Sequence, residues 1–365
     1  MNRKEVINRL QLWLLVVNFT IGSALLLVPS GVVVKAKQDG WIAMLFAIAV
    51  GAFMQYIMVS LANQHPDKTL IEILEQVLGK YLGKLFGLIY AWFFLHLSAL
   101  VIRNAVDFIA SILMVETPMI VFSIVAGILT LYSALHGLEV FSRTNELFSF
   151  FAFIGIVLTT LLLIPLVEFE NLQPILATGI KPIFLGAYPV IGFPFAELIV
   201  FLMILPFVDK RQHLKKIFVS AGVMGGLVLF LVTISSILVL GTTGTALSIF
   251  PTFNMARLIN IGNFITRVEA ITALAYLFVI TTKITVTFYG GSLAISQVFN
   301  LQDYRVILIP LIVIEVSLSI ILNRNVVEEF NFAVTTWTPY SVLLGVVIPL
   351  ILLAVGWLKR KLFKK

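Results

Sequence analysis

Three places in this chain set weak backbone or ionisable side chains inside apolar runs. Residues 19–31 read FTIGSALLLVPSG, with Gly22-Ser23 mid-run and Pro29 close behind. Residues 189–197 read PVIGFPFAE, where Pro189, Gly192, Phe193 and Pro194 precede Glu197. Residues 279–288 read VITTKITVTF and carry Lys283. In lipid, unwinding a helix strands N–H and C=O groups at several kcal/mol each, which is tolerated only where backbone lines a cavity or is buried in protein. Freed amides at Gly22, Ser23 and Ala24 would form the positive N-terminal end of a half-helix, suited to a carboxylate. Freed carbonyls around Gly192 and Phe193 suit an ammonium. Together they would hold an amino acid by its zwitterionic part. The competing reading is that Pro and Gly merely kink two membrane helices. A charge at a helix centre costs about 2.5–3.5 kcal/mol on insertion scales. Glu197 and Lys283 are therefore expected to face the bundle interior and to approach each other, directly or through water.

The elements that must position these residues follow from composition. The 365 residues are 60% hydrophobic and 12% charged, with mean hydropathy +1.07. That is a polytopic membrane protein, all-α, without the alternating pattern of a membrane barrel. There are no cysteines, which excludes disulfides and thiolate chemistry, and the four His show no metal-ligand spacing. No cofactor is implied. The net charge of +7 fits basic cytoplasmic loops rather than nucleic acid. No cleavable signal peptide is evident. At about 20 residues per crossing, ten spans are expected: Leu10–Val34, Trp41–Asn63, Lys84–Ile102, Pro118–Leu138, Leu147–Val167, Pro182–Val208, Ile217–Leu240, Glu269–Phe299, Val306–Leu322 and Phe332–Leu358. Most of the 25 Lys and Arg then fall on the side of the N-terminus, so both termini are placed in the cytoplasm.

Between the second and third spans, Thr69 and Glu72 form a capping box, and Leu70, Leu74, Val77 and Leu78 share a face. A short amphipathic helix on the inner surface is expected there. The outer stretch 241–263 reads either as a lid or as a plain connector. Gly79, Gly83 and Gly87, and likewise Gly222 and Gly226, are spaced for close helix packing within the chain. Asp107 and Glu116 sit near the outer boundary, where solvent would satisfy them. Glu315 has no evident partner, and for it and for His96 packing is the first reading.

The first and sixth spans are the most heavily interrupted, and they occupy matching places in two five-span halves. Because five is odd, the halves run with inverted topology, about 10–167 and about 182–358, within one membrane domain, 1–365. Interrupted segments at corresponding positions are the best sequence pointer to a transporter-type binding site.

NFTIGSALLLVPSG followed by KAKQDGW, GFPFAELIVFLMILP, and the ten-span layout resemble the endospore germination permease family. These are the B subunits of spore germinant receptors (GerAB-like), distant members of the amino acid–polyamine–organocation (APC) transporter superfamily. The matching features are Gly22, Asp39-Gly40-Trp41, and Glu197 with the run ending at Leu205-Pro206, and the likeness covers essentially the whole chain. The resemblance implies a LeuT-like 5+5 inverted repeat. It implies binding of a small nutrient, often an amino acid, in the spore inner membrane, and work with an A subunit and a C subunit to trigger germination by ion release.

In that fold the first, third, sixth and eighth spans surround the ligand. This places Thr20, Gly22, Ser23 and Ala24 at the site, with Leu97, Ser98 and Val101. It adds Phe193, Phe195, Glu197, Leu198 and Ile199, and Thr281 and Thr282. Lys283, flanked by Thr282 and Thr285, would put an ammonium where sodium-coupled relatives hold an ion, beside Glu197. Proton-coupled relatives use a lysine of the fifth span, which has none here. The alternative to a sensor is a proton-coupled amino acid permease. No Ser/His/Asp, His-rich or paired-carboxylate constellation marks an enzyme. Aliphatic Leu97, Val101 and Ile199 suggest a small aliphatic amino acid, with sugars and nucleosides open.

Overall fold

The computed structural model describes residues 6–177, 179–209, 212–260 and 267–363. Arg3, Lys4, Lys210, Arg211, the last two lysines and part of the outer stretch 241–263 lie outside them. Every regular element among the described residues is helical. The first span is two helices, α1 (Arg9–Ile21) and α2 (Ala24–Ala36), broken at Gly22-Ser23. α3 (Gly40–Gln64) is the second span. α4 (Leu70–Leu78) is the amphipathic helix, with its Thr69/Glu72 capping box formed. α5 (Lys80–Phe108) is the third.

α6 (Met119–Leu162) is 44 residues long, with non-helical backbone at Gly137 (φ 83°). A straight helix of that length would run about 66 Å, roughly twice the hydrocarbon thickness. The break therefore separates two traverses, the fourth and fifth spans. The fifth starts at Leu138, nine residues before the expected Leu147, because Arg143 and Glu139 pair along the helix (2.7 Å) instead of forming a loop.

The sixth span begins with α7 (Lys181–Val190), continues as a π-turn over Ile191–Phe195 with a cis Phe193–Pro194 bond, and ends in a 3-10 stretch, Ala196–Met203. α8 (Leu214–Leu247) bends at Gly241 and is followed by α9 (Pro251–Arg257). α9 is docked: Thr252 donates to the Leu25 carbonyl (2.6 Å), and Phe250 and Phe253 pack edge-on to Phe108. α10 (Glu269–Val298) and α11 (Leu308–Ile321) are the eighth and ninth spans. The tenth does not start at Phe332. Phe332 belongs to α12 (Val326–Thr335), a separate helix capped by Asn325. The span proper is α13 (Trp337–Val342), a π-turn and α14 (Ile348–Phe363). Tyr90 donates to the Leu344 carbonyl within that π-turn (2.6 Å).

The segmentation is consistent with ten crossings. α10 packs on α5, α6 and α1, and α8 packs on α1, α2 and α3. Gly83, Gly87, Gly222 and Gly226 serve this internal packing, whereas Gly79 has open space around it and forms the turn between α4 and α5 at φ +87°. A side chain at Gly83 would strike the backbone of Glu75, and one at Gly226 would meet Ile48 at 2.8 Å. Large apolar side chains such as Phe53, Leu129 and Phe153 form the exposed outer faces, as expected where lipid is the solvent.

Candidate functional site

The two breaks meet Lys283 of α10. Gly22 has φ +20°, and a Cβ there would lie 2.6 Å from Lys283 Cδ. The lysine stem thus runs through space that only glycine leaves open. Lys283 Nζ ends 2.6 Å from Glu197 Oε2, and both side chains are 0% exposed. The ammonium also lies over the Phe193 ring (4.5 Å) and the Phe19 ring (5.1 Å), a placement favoured by ring quadrupoles. The other carboxylate oxygen of Glu197 accepts from the Trp337 indole N–H (2.6 Å). Trp337 in turn stacks on Phe93 of α5, 5.3 Å between centroids at 11°. A buried ion pair is tolerated only when further hydrogen bonds satisfy what the pair leaves over, and Trp337 does this for Glu197.

Beside the pair lies a small cavity of about 20 Å³, lined by Ser23, Leu97, Val101, Phe193, Glu197 and Trp337 and closed by residues of α5 and α12. That is room for about one water, so this conformation is occluded. A larger recess of about 680 Å³ lies at the α4 end of the bundle, among His136, Tyr289 and Arg305. It contains neither helix break. The small cavity is where breaks, charges and aromatic rings converge, and it is the candidate site.

Of the residues expected from the sequence, Ser23, Leu97, Val101, Phe193 and Glu197 line this cavity. Gly22 and Lys283 lie directly behind it. Leu198 and Ile199 are core. Thr20 donates to the Val16 carbonyl and fits against Gly225 of α8. Phe195 packs over Gly51 and Gly226, between α3 and α8. Ala24 is buried at the start of α2. Thr281, part-exposed, donates to Leu277 O, and Thr285 to Thr281 O.

Two backbone expectations change. The Gly22 amide is not free, since it donates to the Asn18 carbonyl (2.8 Å). The Gly192 carbonyl is taken by the Ser341 hydroxyl (3.1 Å). A side chain at Gly192 would meet Thr338, so α13 fits into the sixth-span break and satisfies it. The buried hydroxyls of Ser23 and Thr338 have no partner among the described residues; of the two, Ser23 lines the cavity, while Thr338 packs on Gly192.

Next to Lys283, Thr282 donates to Asn145 Oδ1 (2.7 Å), and the Asn18 amide reaches Asn145 Oδ1 and Ser149 Oγ (both 2.8 Å). This knot ties α1, α6 and α10 where the fifth span lacks a lysine. Sequence reading missed Asn145 because it started that span too late. It missed Trp337 because an indole in an apolar run gives no sign of its partner. On the other side of α5, Ser98 donates to Glu315 Oε2 (3.0 Å), and Glu315 is 0% exposed. Asp107 is not solvated. It is 4% exposed and paired with Arg103 (2.9 Å).

The profile described as Spore germination protein (Spore_permease) matches residues 6–327. The chain belongs to the spore germination protein family. Spore germination protein KB of Bacillus subtilis (strain 168) is 27% identical over 355 residues, 96% of this chain and 94% of that protein. YndE of the same organism is 24% identical, covering 80% of each. Among solved structures, MhsT in complex with L-phenylalanine superimposes with TM-score 0.67 at 13% identity, over 94% of this chain and 89% of that one. Mhp1, a nucleobase-cation-symport-1 family transporter in a closed conformation, gives 0.69 at 11%, over 94% and 78%. These establish the fold, the LeuT-like one of these transporters. This spore germination family member is an integral membrane protein whose family and fold are those of permeases and receptors, not enzymes.

Proposed function

We propose that this chain is the nutrient-binding B subunit of a spore germinant receptor, taking a small amino acid at mid-membrane. The observation that carries this is the convergence of both broken spans on one charge-balanced, occluded cavity. Lys283 and Glu197 neutralise each other, so a zwitterion adds no net charge to a low-dielectric site, whereas a net cation or anion would. Ser23 offers a hydroxyl to its polar end. Leu97, Leu100 and Val101 form a wall for a small aliphatic side chain. Family membership supports the role in germination, and the fold shared with a structure in complex with L-phenylalanine supports the ligand class.

On this reading Thr20, Gly22, Ala24, Ser98, Phe195, Leu198, Ile199 and Thr281 support the site, and Thr282, Lys283 and Thr285 set its charge. The protein sits in the spore inner membrane, its termini on the core side, and passes the signal to A and C subunits. A ligand shifts a conformational equilibrium only by its differential affinity for the two states, so closure around the nutrient must be what a partner senses.

The test uses purified protein, a nutrient panel in thermal stabilisation, and uptake of any hit into proteoliposomes with and without a proton gradient. Specific stabilisation without uptake is expected. Gradient-driven accumulation would instead make the chain a proton-coupled permease.

A further inference from the structure

The cavity has a cover at the end of the bundle opposite α4. α12 contributes Glu329, Phe332 and Ala333 to the lining. Glu329, 3% exposed, reaches from α12 to α5. There the Asn104 amide donates to its Oε1, and Asp107, one turn further along α5, is buried beside this contact. One cation serves this cluster. Arg103 pairs with Asp107 Oδ1 through Nε, and its Nη1 reaches the carbonyls of Ser319, Ile320 and Asn323 at the end of α11. Two buried carboxyls thus face one guanidinium. Asp107 Oδ2 lacks a donor among the described residues. Ionised carboxylates only accept, so two in contact need a proton between them. Placed on Glu329, that proton supplies the donor Asp107 lacks.

We propose that Glu329 and Asp107 form a proton-binding site, and that the shared proton latches α12 over the central cavity. Burial, first, and the neighbouring Asp107 carboxyl hold the Glu329 proton well above the ordinary glutamate range, with Arg103 opposing. The sign follows. Below that raised value Glu329 is neutral and the latch is made. As pH rises through it, two carboxylates share one guanidinium, and α12 lifts.

Among the described residues, no ion pair brings a second cation to these carboxyls. α10 brings Tyr276, which is buried and carries no cation. α5 also brings His96, whose ring lies 6.1 Å from Phe332. α13 brings Tyr340, while Lys35 of α2 and Lys181 and Tyr188 of α7 are exposed. Glu328 of α12 itself is exposed and accepts from the Arg324 amide. Glu197, across the cavity, is neutralised by Lys283.

This inference rests on the cavity being the ligand site, but its test uses no nutrient, so the two readings fail separately. The natural chain has no cysteine, and Leu100→Cys puts a single thiol in the cavity lining. Its labelling by a water-soluble maleimide would be followed in the full chain in lipid nanodiscs, from neutral to alkaline pH. The rate is divided by that in a Glu329→Gln background, which cancels the thiol's own titration. A latch released by one proton makes this ratio climb by up to about tenfold per pH unit between the titration of Glu329 in the lifted state and its raised titration in the latched state, and level off above the latter. Asp107→Asn, which removes the repulsion, should flatten the rise, and it replaces Glu329→Gln as the reference if that variant does not fold. A ratio that stays flat with pH overturns the proposal, as does a rise that survives Asp107→Asn.

Discussion

At mid-depth, Lys283 and Glu197 meet one to one; at the α12 end, Arg103 stands against Asp107 and Glu329. Both clusters are buried and both tie helices together. The first is balanced, and its spare carboxylate oxygen has the Trp337 indole, so it needs no proton to be stable. The second carries one carboxyl too many, and its stability depends on a proton it can lose. Glu315 is a third case, a buried carboxyl whose donor among the described residues is Ser98. The difference is between a charge-balanced pair at the candidate site and, on our proposal, a titratable contact that covers it.

The comparison breaks most directly at Lys283. Lys283→Met leaves Glu197 buried without a cation and should cost about 3–5 kcal/mol, read as a large drop in thermal midpoint and loss of nutrient stabilisation. Adding Glu197→Gln should recover more than half of the stability. An unchanged nutrient response at normal protein levels would show that the pair plays no part in binding. Trp337→Phe keeps an aromatic ring against Phe93 but removes the indole donor. A loss of about 1.5–3 kcal/mol is expected, and a null result in denaturant unfolding would mean that the ion pair satisfies Glu197 unaided. Ser98→Ala should cost about 1 kcal/mol, and a loss as large as that for Lys283 would place Glu315 among the permanent charges.

The smallest effect is expected for Glu329→Gln at neutral pH, within about 1 kcal/mol, because an amide still donates to Asp107. Its signature is in the pH profile. The contribution of Glu329 is fully present below the ordinary glutamate range and is lost as pH rises from there through its raised titration. The natural chain should therefore lose stability toward alkaline pH while the Gln variant does not.

Composition and spacing alone settled much. An apolar chain must satisfy its backbone internally, so helices, their approximate spans and the two weak points at Gly22 and Gly192–Pro194 were legible without coordinates. Glu197 and Lys283 stood out because charge at mid-membrane is costly, and the capping box at Thr69 was a local signal that formed as read. What lay beyond the sequence was who meets whom. That Ser341 answers the Gly192 carbonyl, that Trp337 completes Glu197, that Asn145 joins α1 to α10, and that Asp107 is buried beside Glu329 are contacts between residues far apart in the chain. The start of the fifth span was misjudged for the same reason. Glu139, Arg143 and Asn145 look like a loop when read locally, and only the intrahelical pair and the contact with α10 make that stretch a helix. Periodicity and the cost of burial are properties of a segment, whereas the partner that offsets that cost is chosen by packing in three dimensions.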